Sequence, residues 1–138
     1  MRAMLTAAAS LALLAVPGTA IAKDKVNPKG EAQLAKMLEG RVAGKPVRCL
    51  PTYSIDQSTI IDGTAIVYRN GSKLYVNRPR GGASSLDSDD ILVTKLHGTQ
   101  LCNIDKVDLV DRGSRMWSGF VSLGEFVPYE RVKTSSLK

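Results

Sequence analysis

Between positions 47 and 130 the apolar residues come in short runs, each stopped by turn-forming residues. The run 47–50 meets Pro51, 58–61 meets Asp62-Gly63, 64–69 meets Asn70-Gly71, and 73–77 follows that turn. In the last of these, Leu74 and Val76 alternate with Lys73, Tyr75 and Asn77, the period-two pattern of a strand. Asn70-Gly71 between two such runs predicts a hairpin with a type I′ turn, whose two central residues both take positive φ. Apolar residues occur on both faces of this hairpin, which suits the inside of a barrel or sandwich. Further strands are expected at 91–96, 100–102, 105–111, 120–123 and 125–127, with Gly124 suited to a bulge.

Upstream of these runs the spacing changes. Leu34, Met37 and Leu38 share one stripe at helical spacing, with Asn27 as N-cap, Pro28 in the first turn and Gly40 just past the end. The pattern therefore predicts a mainly β fold, a small antiparallel β-barrel or sandwich with one short N-terminal helix.

The first residues carry a different signal. Arg2, the apolar stretch 3–16, Pro17-Gly18 and Ala20-Ile21-Ala22 form the basic, apolar and small-residue order of a secretory signal peptide, with cleavage expected after Ala22. The apolar run is too short to cross a bilayer, which takes about 20 residues, and no second one follows, so no transmembrane segment is expected in the mature chain. The expected organisation is a signal peptide at 1–22, an N-terminal segment with the helix at 23–46, a β domain at 47–130 and a disordered tail at 131–138, in a periplasmic or secreted protein. The formal net charge of +6 loses one unit with Arg2. A surplus of Lys and Arg outside the cytoplasm favours anionic lipid headgroups or acidic polymers, and the compartment argues against nucleic acid.

The chain has two cysteines, Cys49 and Cys102, with no CxxC or Cys/His cluster for zinc. In an oxidising compartment the first expectation is one disulfide, worth roughly 4 kcal/mol by loop-closure entropy. A reactive or redox pair is the rival expectation. No dinucleotide, phosphate-loop or metal-ligand signature is present, so no cofactor and no metal is expected.

Three places could carry chemistry. The polar stretch 78–90 has a basic half, where Arg78 and Arg80 beside Gly81-Gly82 could grip an anion, and an acidic half, where Asp87, Asp89 and Asp90 could hold calcium. The plainer expectation is that its two halves fold onto each other. Trp117, near Arg115 in a glycine-flanked polar run, could stack on a sugar, grip a protein, or cover the open end of a barrel. His97, the only histidine, could serve a hydrolase with Ser84, Ser85 or Ser88, but it precedes Gly98 where a turn is expected and no nucleophile elbow accompanies it.

Cys49, Asp62, Tyr75-Val76-Asn77, Leu86, Leu101-Cys102 with Asp105, and Leu123-Gly124-Glu125-Phe126 together resemble the pattern of a family of small exported proteobacterial proteins of unknown function, over 49–126. Ala83 and Val121 stand where that pattern has further cysteines, and Ile104 replaces a glycine. The resemblance implies that the two retained cysteines bond to each other and that 78–90, lacking a tether at Ala83, is the more mobile for it. It implies no activity. The function expected is a non-catalytic periplasmic or secreted binding module touching an anionic envelope component or a protein through Arg78, Arg80 and Trp117. The alternatives are a small secreted inhibitor of a hydrolase and, third, a hydrolase.

Overall fold

The computed structural model describes residues 25–133. The expected signal peptide and cleavage site, and all but the first few residues of the expected tail, lie outside the described residues. The helix α1 (Pro28–Met37) starts where the sequence places it: the Asn27 side chain accepts from the backbone N–H of Lys29 and Gly30 at 3.2 and 3.3 Å. The same side chain donates to the Asp62 carbonyl at 2.8 Å, which fixes the helix entry against a strand turn. Gly30 allows the close approach, because a Cβ there would stand 1.9 Å from Thr64 Oγ1.

Ten strands follow: β1 (Arg41–Ala43), β2 (Cys49–Pro51), β3 (Gln57–Ile61), β4 (Ala65–Asn70), β5 (Lys73–Asn77), β6 (Asp90–Thr94), β7 (Gln100–Cys102), β8 (Lys106–Asp111), β9 (Trp117–Ser122) and β10 (Phe126–Arg131). They form a five-stranded sheet in the order β1-β10-β5-β4-β3, a three-stranded sheet β6-β8-β9 and a pair β2-β7, with every pairing antiparallel. The sheets do not close on themselves. Of the two expected architectures the sandwich is the one formed, and β3 and β6 are left with one partner each.

Strand β4 explains why both faces of the hairpin are apolar. Ile66 and Tyr68 enter a core with Leu50, Ile60, Leu86, Leu101, Val107, Leu109, Val121, Leu123 and Phe126 between the sheets. Ala65 and Val67 point the other way and join Leu34, Ile61, Leu74 and Val76 beneath α1. The edge of the Tyr68 ring meets the Phe126 ring at 5.7 Å between centroids, a favoured aromatic geometry.

The hairpin turn differs from the expected type I′. Asn70 pairs with Lys73, so the central residues are Gly71 and Ser72, and only Gly71 takes a positive φ, 57°. That is the sign pattern of a type II′ turn. The Asp56 carboxylate, accepting from Gly71 N–H at 2.7 Å, holds this register.

Boundaries also differ. The described part of the expected N-terminal segment, 25–46, packs with the strands, since β1 pairs with β10 and α1 covers the sheet. Arg131, expected in the tail, is the last residue of β10, and Val132 N–H donates to the Gly40 carbonyl. Between β1 and Val47 the register against β10 gains one residue: Ala43 faces Tyr129 while Val47 faces Phe126. Pro128, lacking an N–H, sits beside that bulge.

Cys49 and Cys102 are disulfide-bonded and face each other across β2-β7 with Cα atoms 4.0 Å apart. The flanking bond from Asn103 N–H to the Arg48 carbonyl identifies a non-hydrogen-bonded pair, where facing side chains stand closest. No helix among the described residues is long and apolar enough to cross a membrane.

Candidate functional site

Arg78 and Arg80 both have internal partners. The Arg78 guanidinium forks onto Glu31 of α1 at 2.5 and 2.9 Å, and Arg80 donates to the carbonyls of Leu123 and Asn103, each at 2.9 Å. The hydrogen bond from Arg78 holds the Glu31 carboxyl below its ordinary range and raises the arginine in turn. The two halves of 78–90 do not fold onto each other. The basic half is stitched to β9, with Arg80 N–H donating to the Ser122 carbonyl at 2.8 Å and Ser122 N–H to the Gly81 carbonyl at 3.0 Å. Gly82, at φ 81°, packs where a Cβ would come within 2.4 Å of the Phe120 carbonyl. In the acidic half Asp87 accepts from Asp89 N–H, and Asp90 accepts from the Ser118 hydroxyl at 2.9 Å. Among the described residues no group of three or more His, Cys, Asp or Glu is placed to hold a metal ion.

His97 is exposed in the link between β6 and β7, beside Ile104 and Asp105 at a shallow cleft. Ser85 instead lies against Gly119, its Cβ 3.3 Å from where a glycine Cβ would stand.

The residues of the motif pattern read from the sequence turn out to be framework. Asn77, fully buried, donates to the Gly124 carbonyl at 2.7 Å and accepts from Gly124 N–H at 3.0 Å. Gly124 is required there, because a Cβ would lie 2.3 Å from the Arg78 carbonyl. Leu123 and Phe126 are fully buried on either side, and Asp105 accepts from Cys102 N–H at 2.7 Å next to the disulfide.

Trp117 stands apart from this framework. Its strand pairs with β8 in the order Val107↔Val121, Asp108↔Phe120, Leu109↔Gly119, and then jumps to Val110↔Trp117. Ser118 is the extra residue of a β-bulge. Without it Trp117 would face Asp111 and share the inward parity of Leu109 and Val107; the bulge moves it to the outer face. The preceding turn prepares the shift: Ser114 donates to the Asp111 carboxylate through both N–H and hydroxyl at 2.6 Å, and Arg115 takes φ 59°. Those two bonds hold the Asp111 carboxyl below its usual range.

The register then assembles an apolar outer face. Ile91, Val110 and Trp117 form one row, and Val93, Asp108 and Phe120 the next. Trp117 is 63% exposed, Phe120 42%, Val93 40% and the adjoining Met116 69%. Charges frame the aromatics: Lys106 Nζ lies 4.6 Å from the Phe120 ring centroid, and Trp117 Nε1 makes a long 3.5 Å hydrogen bond to Asp108. Sequence reading singled out Trp117 and missed Phe120, Val93, Lys106 and Asp108. The signal for them was period-two alternation across three strands: Ile91 and Val93, Lys106 and Asp108, and Phe120 all fall on the face opposite Val107, Leu109 and Val121. Compared with protein-family models, with curated proteins and with solved structures, the chain matches none.

Proposed function

We propose that this is a non-catalytic, exported binding module whose contact surface is the outer face of β6-β8-β9, and that its occupant is a partner protein with an apolar patch and an acidic rim. The observation that carries this reading is the bulge that holds Trp117 outward beside Phe120 and Val93. Large apolar side chains in one exposed patch mark interaction sites, and Trp is among the residues that dominate binding energy when desolvated. Lys106 lies over the Phe120 ring, and the chain's formal net charge of +6 favours an acidic rim on the partner. The engagement of Arg78 and Arg80 with internal groups leaves Trp117 as the better contact residue of the three first considered.

Trp117 is the only tryptophan, so its emission reports on this face alone. Proteins retained from envelope extract by the immobilised chain should be lost with Trp117→Ala/Phe120→Ser and, once purified, should shift Trp117 emission to the blue. Retention unchanged in the double variant, or retention of polymer or lipid alone, would overturn the assignment. A blue shift that depends only on the chain's own concentration would make the occupant a second copy.

A further inference from the structure

A second surface runs along the line where the sandwich fails to close. Strand β3 has β4 on one side only and β6 has β8 on one side only, and a trough lies between their open edges. Its polar half, about 600 Å³, is lined by Ser58, Thr59, Ile60, Asp90, Leu92 and Arg112 among others. Its apolar half, about 230 Å³, continues through Ser58 and Leu92 to Ile55, Tyr68, Leu96 and Leu101. Apart from their sheet ladders, the backbone groups of 57–60 and 91–94 have no partners among the described residues.

Tyr68 supplies an independent sign. Only 4% exposed, it lines the apolar half, and its hydroxyl makes no hydrogen bond among the described residues. Every fully enclosed polar side-chain atom there is paired, so this hydroxyl must reach solvent through the trough. We propose that the trough between β3 and β6 receives an extended peptide segment of a partner protein as an added strand, with the Tyr68 hydroxyl donating to a peptide carbonyl. An edge strand offers main-chain groups at the repeat a peptide needs, and strand addition is a recurrent recognition mode. Each edge is five residues long, about 17 Å at the rise of a strand, and therefore matches a peptide of about five residues. Ile60, Leu92 and Leu101 line the trough, which selects apolar side chains at alternate peptide positions. Burial raises the Tyr68 phenol above its ordinary value, so at neutral pH it remains a donor. The site uses the open edge of β6, whose outer face carries Ile91 and Val93 of the Trp117 patch, and it does not depend on that patch being occupied.

The test uses the full chain and a displayed library of random peptides. Selection should enrich peptides with alternating apolar residues, and a synthesised winner should slow amide exchange at 57–60 and 91–94. Tyr68→Phe keeps the ring and should weaken that peptide about fivefold, the equivalent of one net hydrogen bond. Ser58→Trp, at an exposed position lining both halves, should fill the trough and abolish binding. Failure to enrich any peptide, protection confined to residues around Trp117, or undiminished binding to Tyr68→Phe would overturn the proposal.

Discussion

Replacing Asn77 by alanine tests the framework at the point where two distant segments meet. The Asn77 amide satisfies both the N–H and the carbonyl of Gly124, at 3.0 and 2.7 Å, in a position with no solvent exposure. Alanine leaves both Gly124 groups without partners, and each buried orphan costs about 1–3 kcal/mol. The expected loss is about 2–6 kcal/mol, a large share of the ~5–15 kcal/mol typical of a domain. With a urea m-value of about 2 kcal/mol/M, the midpoint falls by roughly 1–3 M. Asn77→Asp sharpens the test. A carboxylate still accepts from Gly124 N–H but faces the Gly124 carbonyl, whereas a protonated acid donates to it. Burial and that carbonyl raise the folded pKa above the unfolded value of about 3.9. The variant's stabilising contribution is therefore complete below the unfolded pKa and lost as pH rises through the folded one. Urea melts of both variants at neutral and mildly acidic pH decide the matter. A loss below about 1 kcal/mol for alanine, no more than one ordinary hydrogen bond, would refute the reasoning.

Reduction of Cys49–Cys102, which closes a sequence separation of 53, should lower stability by about 4 kcal/mol, seen as a reductant-dependent urea midpoint that Cys49→Ser/Cys102→Ser no longer shows. Glu31 has a depressed carboxyl because of Arg78, so its contribution is present above the ordinary value of 4.5 and fades as pH falls through the folded value. Both side chains are substantially exposed, so Glu31→Gln should cost no more than about 1 kcal/mol at pH 7 and should flatten the acid limb of a pH–stability curve. Gly124→Ala, whose Cβ would strike the Arg78 carbonyl, should destabilise by about 1–3 kcal/mol or more. Gly71→Ala has open space and only an unfavourable φ to bear, and thermal melts should find it at about 1 kcal/mol.

Local periodicity foretold what local forces decide. The Asn27 cap, the alternation around Leu74 and Val76, and the turns at Asp62-Gly63 and Arg112-Gly113-Ser114 all needed only neighbours in sequence. Strand β1 escaped notice because three residues, two of them exposed, leave no periodic trace; its partner β10 decides it. The pairing of Arg78 with Glu31 spans 47 residues and depends on where α1 lies on the sheet, which no local pattern encodes. The Ser118 bulge is subtler: an extra residue leaves the composition of 112–119 unchanged yet reverses the face on which Trp117 falls. The motif residues were legible as a pattern but opaque as to role until Asn77, Gly124, Asp105 and Phe126 were seen holding segments together.

The outward face around Trp117 is tested most directly by quantitative capture. The immobilised chain and its Trp117→Ala/Phe120→Ser variant, matched for urea stability, are exposed to the same envelope extract, and the retained proteins are compared. A partner-binding face predicts at least one protein held by the native surface, released by the double substitution, and able to move Trp117 emission to the blue when purified. Equal retention by both surfaces, or an unmoved emission maximum with the purified protein, would contradict it.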